Sequence, residues 1–259
     1  MKTAHSTIVV EHEPPVCTVR LNRLDARNTI NDAMIAEVAA VIGALDAATS
    51  IVVIEGSPEV FSFGADFQQI HQAVANGVPG KQDPGPLYDL WLQLATGPFI
   101  SIAHVRGQAN AGGVGFVAAC DIVLADTTAV FSLSELLFGL YPACVLPFLI
   151  RRIGYQKAHY MTLMTQPIAL EQAHVWGLVD AFDRSSADLL RKHLLRLRRL
   201  TKPAIARYKQ YLATLNPLLA DAKAAALQGN QAVFSDPQNL QMISRYVETG
   251  LFPWEKSDR

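Results

Sequence analysis

Two kinds of apolar pattern alternate along this chain. Residues 51–54 (Ile-Val-Val-Ile) and 100–105 (Ile-Ser-Ile-Ala-His-Val) are short, nearly unbroken and rich in β-branched side chains, as strands covered on both faces should be. Ahead of the first run the spacing is helical. Met34, Ile35, Val38, Val41, Ile42 and Leu45 recur every three or four positions and predict a helix over 32–48, with Asn31 as its N-cap. Two β-rich runs, 7–11 and 16–21, flank Pro14-Pro15 and predict a hairpin, followed by a polar loop at 22–27. Further along, 87–96 predicts a helix, and 121–125 and 128–131 predict strands. Strand, helix and strand in alternation make this an α/β chain with βαβ units and a parallel sheet. From residue 146 the period is helical, over 149–153, 156–165, 169–176, 187–200, 202–215, 217–234 and 237–249. Gly177 to Asp180 reads there as a helix end leading into a short strand.

Composition narrows the function classes. Half of the 259 residues are apolar, enough for a sizeable core, and the formal net charge of −1 supplies no bulk attraction to nucleic acid or to an anionic membrane. Three cysteines without a Cys-x-x-Cys or His-x-x-x-His pair argue against a disulfide framework and against zinc, so no metal is expected and a cytoplasmic setting fits. No apolar run approaches the roughly 20 residues of a membrane span, and the first residues lack the apolar core of a signal peptide. The helix at 187–200 carries Arg191, Lys192, Arg196, Arg198 and Arg199, either as a solvated face or as a contact for a phosphate or carrier protein.

Candidate chemistry sits at two turns. Gly64-Ala65-Asp66 follows the strand at 51–55 and the run Val60 to Phe63, and Gly112-Gly113 follows the strand at 100–105 and opens a helix. Glycine lets a ligand approach the backbone closely, and a helix start leaves N–H groups without internal partners. Two such N–H groups meeting at one carbonyl oxygen form an oxyanion hole. Asp66 suits an N-cap on the next helix. The polar stretch 68–85, rich in glycine and proline, is placed to act as a flap, or is an ordinary surface loop. Glu135 is a candidate acid–base group because a carboxylate in an apolar pocket titrates near neutral pH. His104 reads as a core histidine, and Cys120 and Cys144 as small buried residues.

Several ordered motifs carry a resemblance. Leu21-Asn22-Arg23, Phe61-x-x-Gly64-Ala65-Asp66, Ala109-x-Ala111-Gly112-Gly113, Cys120-Asp121-Ile122, Phe131-x-x-x-Glu135-x-x-x-Gly139-x-x-Pro142 and Ala173-x-x-x-Gly177-Leu178-Val179-Asp180 together resemble the crotonase (enoyl-CoA hydratase/isomerase) superfamily. The resemblance implies a spiral of ββα repeats over residues 1–195 and a C-terminal helical oligomerisation region over 196–259, assembled as trimers or as hexamers. It implies an acyl thioester substrate on coenzyme A or on the phosphopantetheine arm of an acyl carrier protein, with no separate cofactor. The amides of Ala65 and Gly112 become the oxyanion donors, and Arg27 and Ala26, with Asp66, Gly113 and Tyr141, the contacts to substrate or pantetheine.

Of the two glutamates typical of hydratases, only Glu135 is kept, and Gly115 stands at the other position. That departure, with Asn28 to Asp32 and Val60 to Phe67, is similar to the dehydratases of polyketide β-branching, which convert a carrier-bound 3-hydroxy-3-methylglutaryl group to 3-methylglutaconyl. The decarboxylating partner of those pathways fits less well: Gln69 and Ala73 replace its Tyr and Lys, and no histidine follows His193. A distal carboxylate would be held by Arg106, His104, Tyr88, Lys81 or Tyr141. The alternatives are a catabolic acyl-CoA hydratase or isomerase, the decarboxylating partner, and a catalytically silent binding protein.

Overall fold

The computed structural model describes residues 5–77 and 83–256. In chain order the first half runs β1 (Ile8–Glu13), β2 (Val16–Leu21), α1 (Asp32–Gly43), β3 (Ile51–Glu55), β4 (Val60–Ser62), α2 (Phe67–Ala75), α3 (Gly85–Thr96), β5 (Ile100–Val105), β6 (Gln108–Asn110), α4 (Gly112–Ala119), β7 (Ile122–Ala125) and β8 (Val130–Ser132). The second half holds a 3-10 turn at Glu135–Phe138, then α5 (Leu146–Ile153), α6 (Tyr155–Met164), β9 (Ile168–Ala169), α7 (Leu170–Trp176), β10 (Ala181–Phe182), α8 (Ser186–Leu197), α9 (Lys202–Leu215), α10 (Leu218–Asp221), α11 (Lys223–Ser235) and α12 (Pro237–Thr249).

Six strands form one sheet in the order β1-β2-β3-β5-β7-β10, antiparallel at the β1–β2 hairpin and parallel across the rest. The unbroken runs of β3 and β5 occupy its centre because both faces are covered. On one face Val52, Ile54, Ala103 and Val105 enter the main core with Met34, Leu94, Trp91 and Val117. On the other, Ile51, Val53, Ile100 and Ile102 meet Leu189, Leu190 and Leu194 of α8 and Ile205 of α9. This turns the basic side of α8 outwards, and Arg191, Lys192, Arg196, Arg198 and Arg199 are exposed.

A second, four-stranded sheet, β4-β6-β8-β9, lies beyond the first. The sequence signal misses β4 and β6, which have three residues each and stand beside glycine turns. Parallel pairing of Val60 with Gln108 and of Ser62 with Ala109 brings those turns side by side. Gly107, with φ of +60°, makes the bend into β6, and a side chain there would meet the Glu59 backbone at 1.9 Å.

Several boundaries differ from the pattern for local reasons. Helix α1 stops at Gly43 instead of 48, because Asp46 takes the N–H and hydroxyl of Thr49 into a turn of its own. Asp121 lies just outside β7. Its carboxylate accepts from the Ser101 N–H and from the Lys209 ammonium at 2.6 Å. The helix at 217–234 is two, α10 and α11. Within the proposed flap, residues 78–82, and Lys81 with them, lie outside the described residues.

The C-terminal helices return to the rest of the chain. The Tyr88 hydroxyl donates to the Leu219 carbonyl at 2.7 Å. Helix α12 packs on α2, with Ile243 and Leu240 against Ile70 and with Phe138 between Phe67, Tyr246 and Phe252. No helix among the described residues is long and apolar enough to cross a membrane.

Candidate active site

The two glycine turns abut. Ile30 donates its N–H to the Gly64 carbonyl at 2.8 Å in a parallel bridge with Ala65. A methyl group built on Gly112 would stand 3.6 Å from the Gly64 Cα. Gly64 has φ of +86°, and a methyl group on it would come within 2.6 Å of Ala111 Cβ and 3.1 Å of the Gly112 nitrogen. Ala111, the N-cap of α4, is held at φ of 50° and ψ of −120°. A non-glycine residue in that region costs on the order of 1–3 kcal/mol. The Ala111 N–H, bonded to the Ser132 carbonyl at 2.9 Å, is part of what holds it there. Among the described residues, neither the Ala65 nor the Gly112 amide has an acceptor.

Both turns open into a cleft of about 1070 Å³ lined by Ala65, Gly112, Glu135 and Tyr141, with Ala26, Arg27 and Asp66 also on its walls. Glu135 begins the 3-10 turn and is buried. Its Oε2 has no hydrogen-bond partner. Burial pushes the Glu135 carboxyl up to about 7, against a smaller opposite pull from the backbone amides of Glu135 and Ser134. Such a group exchanges protons near neutral pH, as a general acid–base residue must.

The cations lining the cleft among the described residues are Arg23 and Arg27. Arg23 pairs with Asp66 at 2.8 Å and donates to Thr29. Asp66 also caps α2 by accepting from the Gln69 N–H at 3.1 Å. Both of its oxygens are thus engaged, which fits a structural carboxylate. Arg27 sits 3.5 Å from the centroid of Phe63 and donates to Gln108. It is exposed, in a left-handed turn with φ of 52°.

Other expected positions lie elsewhere. Gly113 faces β4, where a side chain would strike the Ser62 carbonyl at 2.3 Å; its role is packing, and it does not line the cleft. His104 and Arg106 line a separate pocket on the α8 side of the sheet, so neither reaches a substrate in the cleft. His104 joins Glu55 and Ser186, each at 2.9 Å, and Arg20 pairs with the same glutamate at 2.7 Å. Burial raises the Glu55 carboxyl, but its bonds from His104 and Arg20 together bring it below the usual value. Tyr88 is fully buried and spent on Leu219. Of the groups named for a distal carboxylate, Tyr141 alone among the described residues lines the cleft. Burial pushes the Cys120 and Cys144 thiols up to about 12, as befits packing residues.

Gly115 has a physical reason. A methyl group there would meet the Trp91 ring at 2.4 Å, so the indole takes the space of any longer side chain. Sequence reasoning also missed the cleft residues of the last helical segment, Tyr246, Val247 and Phe252. Nothing local in the chain announces that helix 237–249 returns to residues 67–75.

Two abutting backbone turns beside a buried carboxyl, on a two-sheet α/β fold, define a class. The chain belongs to the enoyl-CoA hydratase/isomerase family, whose model matches residues 11–257, and is a lyase of the hydratase and dehydratase class with the crotonase fold. It is 60% identical over 252 residues to the bacillaene synthase dehydratase PksH of Bacillus subtilis, covering 97% of each chain. The crystal structure of a polyketide biosynthesis enoyl-CoA hydratase from that organism superposes with a TM-score of 0.95 at 58% identity, covering 96% of this chain and 100% of that one. A 2,3-dehydroadipyl-CoA hydratase of Escherichia coli is 29% identical over 88% of this chain and 84% of its own.

Proposed function

We propose that this protein dehydrates a 3-hydroxy-3-methylglutaryl group carried as a thioester on an acyl carrier protein, giving 3-methylglutaconyl, in polyketide β-branching. The observation that carries the reading is the Glu135 oxygen, buried and unpartnered in the cleft that the free amides of Ala65 and Gly112 border. The Bacillus subtilis relative, named a bacillaene synthase dehydratase, supports the polyketide setting.

In this mechanism the thioester oxygen accepts from both amides. Glu135 removes a proton from C2, and the electrons of that C–H bond pass to the thioester oxygen as an enolate. They return to form the C2–C3 double bond as the C3–O bond breaks, and the departing hydroxyl takes the proton from Glu135 and leaves as water. One carboxyl serves as base and then acid because its proton affinity is poised near neutral pH. Arg27, Ala26 and Tyr141 contact the pantetheine arm and the acyl group at the cleft wall. The C-terminal helical region from residue 196 carries the contacts of a trimer or of a hexamer.

Intact-mass spectrometry of a carrier protein loaded with the 3-hydroxy-3-methylglutaryl group tests the reading. Loss of one water supports it. Loss of water and carbon dioxide together points to the decarboxylating reaction, and turnover of short enoyl-CoA esters without a carrier protein points to a catabolic hydratase. Because the carboxylate form starts the reaction, kcat/KM for dehydration is expected to rise with pH and level off above an inflection near 7. A profile flat between pH 5 and 8 would assign the base elsewhere.

A further inference from the structure

The pocket on the α8 side of the sheet shares no residue with the cleft and takes no part in the reaction proposed above. It holds about 350 Å³ between the ends of β2, β3 and β5 and one face of α8, at the small end of the roughly 300–1,000 Å³ usual for ligand sites. Strand register builds its first wall. Arg20, Glu55 and His104 lie side by side across β2, β3 and β5, and Arg106 lines the same wall two residues past His104. Helical spacing builds the second, where Arg191 and Arg198 stand two turns apart beside Leu190 and Leu194. His104 is held between Glu55 and Ser186, and Glu55 also holds Arg20 at 2.7 Å. The strand wall is therefore set before any ligand arrives.

The charges in this pocket are unequal. Four guanidinium groups line it against one carboxylate, that of Glu55. Glu11 and Asp188 approach Arg20 and Arg191 at 3.5 and 3.4 Å, but exposed pairs of this kind contribute little. Arg106 gives an N–H to the Gly56 carbonyl at 3.2 Å. Among the described residues, neither Arg106 nor Arg198 forms an ion pair with a carboxylate. Two guanidinium groups without counter-charges fit a ligand that carries about two negative charges on one compact group. A phosphate monoester has that charge near neutral pH, with three oxygens that accept paired N–H groups from arginine. A lone carboxylate or a phosphodiester, each with a single charge, answers only one of the two. Leu190 and Leu194 offer apolar cover to whatever the phosphate is attached to. We infer that this pocket binds a small phosphate monoester, its phosphate on Arg106 and Arg198 and its apolar body along the leucines of α8.

Calorimetric titration of the full chain with n-hexyl phosphate tests the assignment, with n-hexyl sulfate, of the same shape but one charge, for comparison. One saturable site per chain is expected, and the sulfate should bind more weakly. Arg198 is exposed, so Arg198→Gln leaves the fold intact. It and Arg106→Gln are each expected to weaken binding of hexyl phosphate about tenfold or more, as loss of a charged hydrogen-bond donor does. Arg196→Gln removes the same charge from α8 outside the pocket, and Arg27→Gln removes a cation from the cleft wall; both should bind hexyl phosphate as the wild type does. Equal weakening by Arg196→Gln and Arg198→Gln would mean diffuse attraction to a basic helix, and weakening by Arg27→Gln alone would move the phosphate to the cleft. Either result overturns the assignment, as does the absence of saturable binding. Phosphatidylcholine vesicles with and without phosphatidic acid distinguish the source of the phosphate. Sedimentation with the acidic vesicles that is lost in Arg198→Gln points to a lipid, and a chain that stays in solution points to a free metabolite; both keep the pocket as a phosphate site.

Discussion

Glu135→Gln is expected to lower the dehydration rate by about a thousandfold, within the span typical of a lost general acid–base group, and to make the protein more stable above neutral pH. The two effects share one cause. In the fold the carboxyl holds its proton up to about 7, against 4.5 for an ordinary glutamate. Between those pH values the folded chain binds more protons than the unfolded one, so stability falls as pH rises through this window. The fall is complete above about 7. At 1.36 kcal/mol for each pH unit of displacement it amounts to about 3 kcal/mol. The neutral amide of Gln does not titrate and escapes it. Thermal melts of both proteins at pH 5 and pH 8 check this: the variant should gain on the wild type by several degrees at the higher pH. A variant of full activity would remove Glu135 from the reaction, and a gap independent of pH would show the carboxyl to be solvated.

Gly64→Ala is expected to cost both stability and rate. The position has φ of +86°, which an alanine adopts with strain of roughly 1 kcal/mol. Its methyl group would collide with Ala111 Cβ at 2.6 Å and press the Asn110 carbonyl at 3.0 Å, and overpacking of this kind costs a further 1–3 kcal/mol or so. Relief requires the turn bearing Ala65 to move away from the turn bearing Gly112. A misplacement of about 1 Å at reacting groups lowers rates by about a hundredfold. Gly43→Ala, with open space around it and no positive φ, is the control and should leave both properties near wild type. Calorimetry with rates measured well below the transition separates the two effects. An unimpaired Gly64→Ala would mean that the spacing of the turns does not matter.

Much of this architecture can be read in the chain because its causes are local. An unbroken Ile-Val-Val-Ile run has few places to go but the middle of a sheet. Asn31 and Asp66 cap helices with their own side chains, accepting from Met34 and Gln69. The two glycine turns were visible as turns, and their adjacency rested on a resemblance until β4 and β6 supplied the pairing. What stayed hidden depends on partners far off in sequence. His104 reads as a core histidine, and it is one, but nothing local names Glu55 and Ser186 as the partners that take its two ring nitrogens. Gly113 reads like its neighbour Gly112, yet one faces β4 and the other the cleft. The indole that closes off Gly115 and the backward bend at Ala111 have no signature in composition or period at all.

The packing of α12 on α2 has a consequence for how the molecule comes into being. Most residues lining the cleft precede position 146, whereas Tyr246, Val247 and Phe252, which also line it, follow about a hundred residues later in the chain. While a ribosome is still adding residues, the greasy flank of α2 around Phe67, Ile70 and Val74 therefore has no native cover. Contacts between such distant stretches form late, so that flank is where a nascent copy would most benefit from a chaperone.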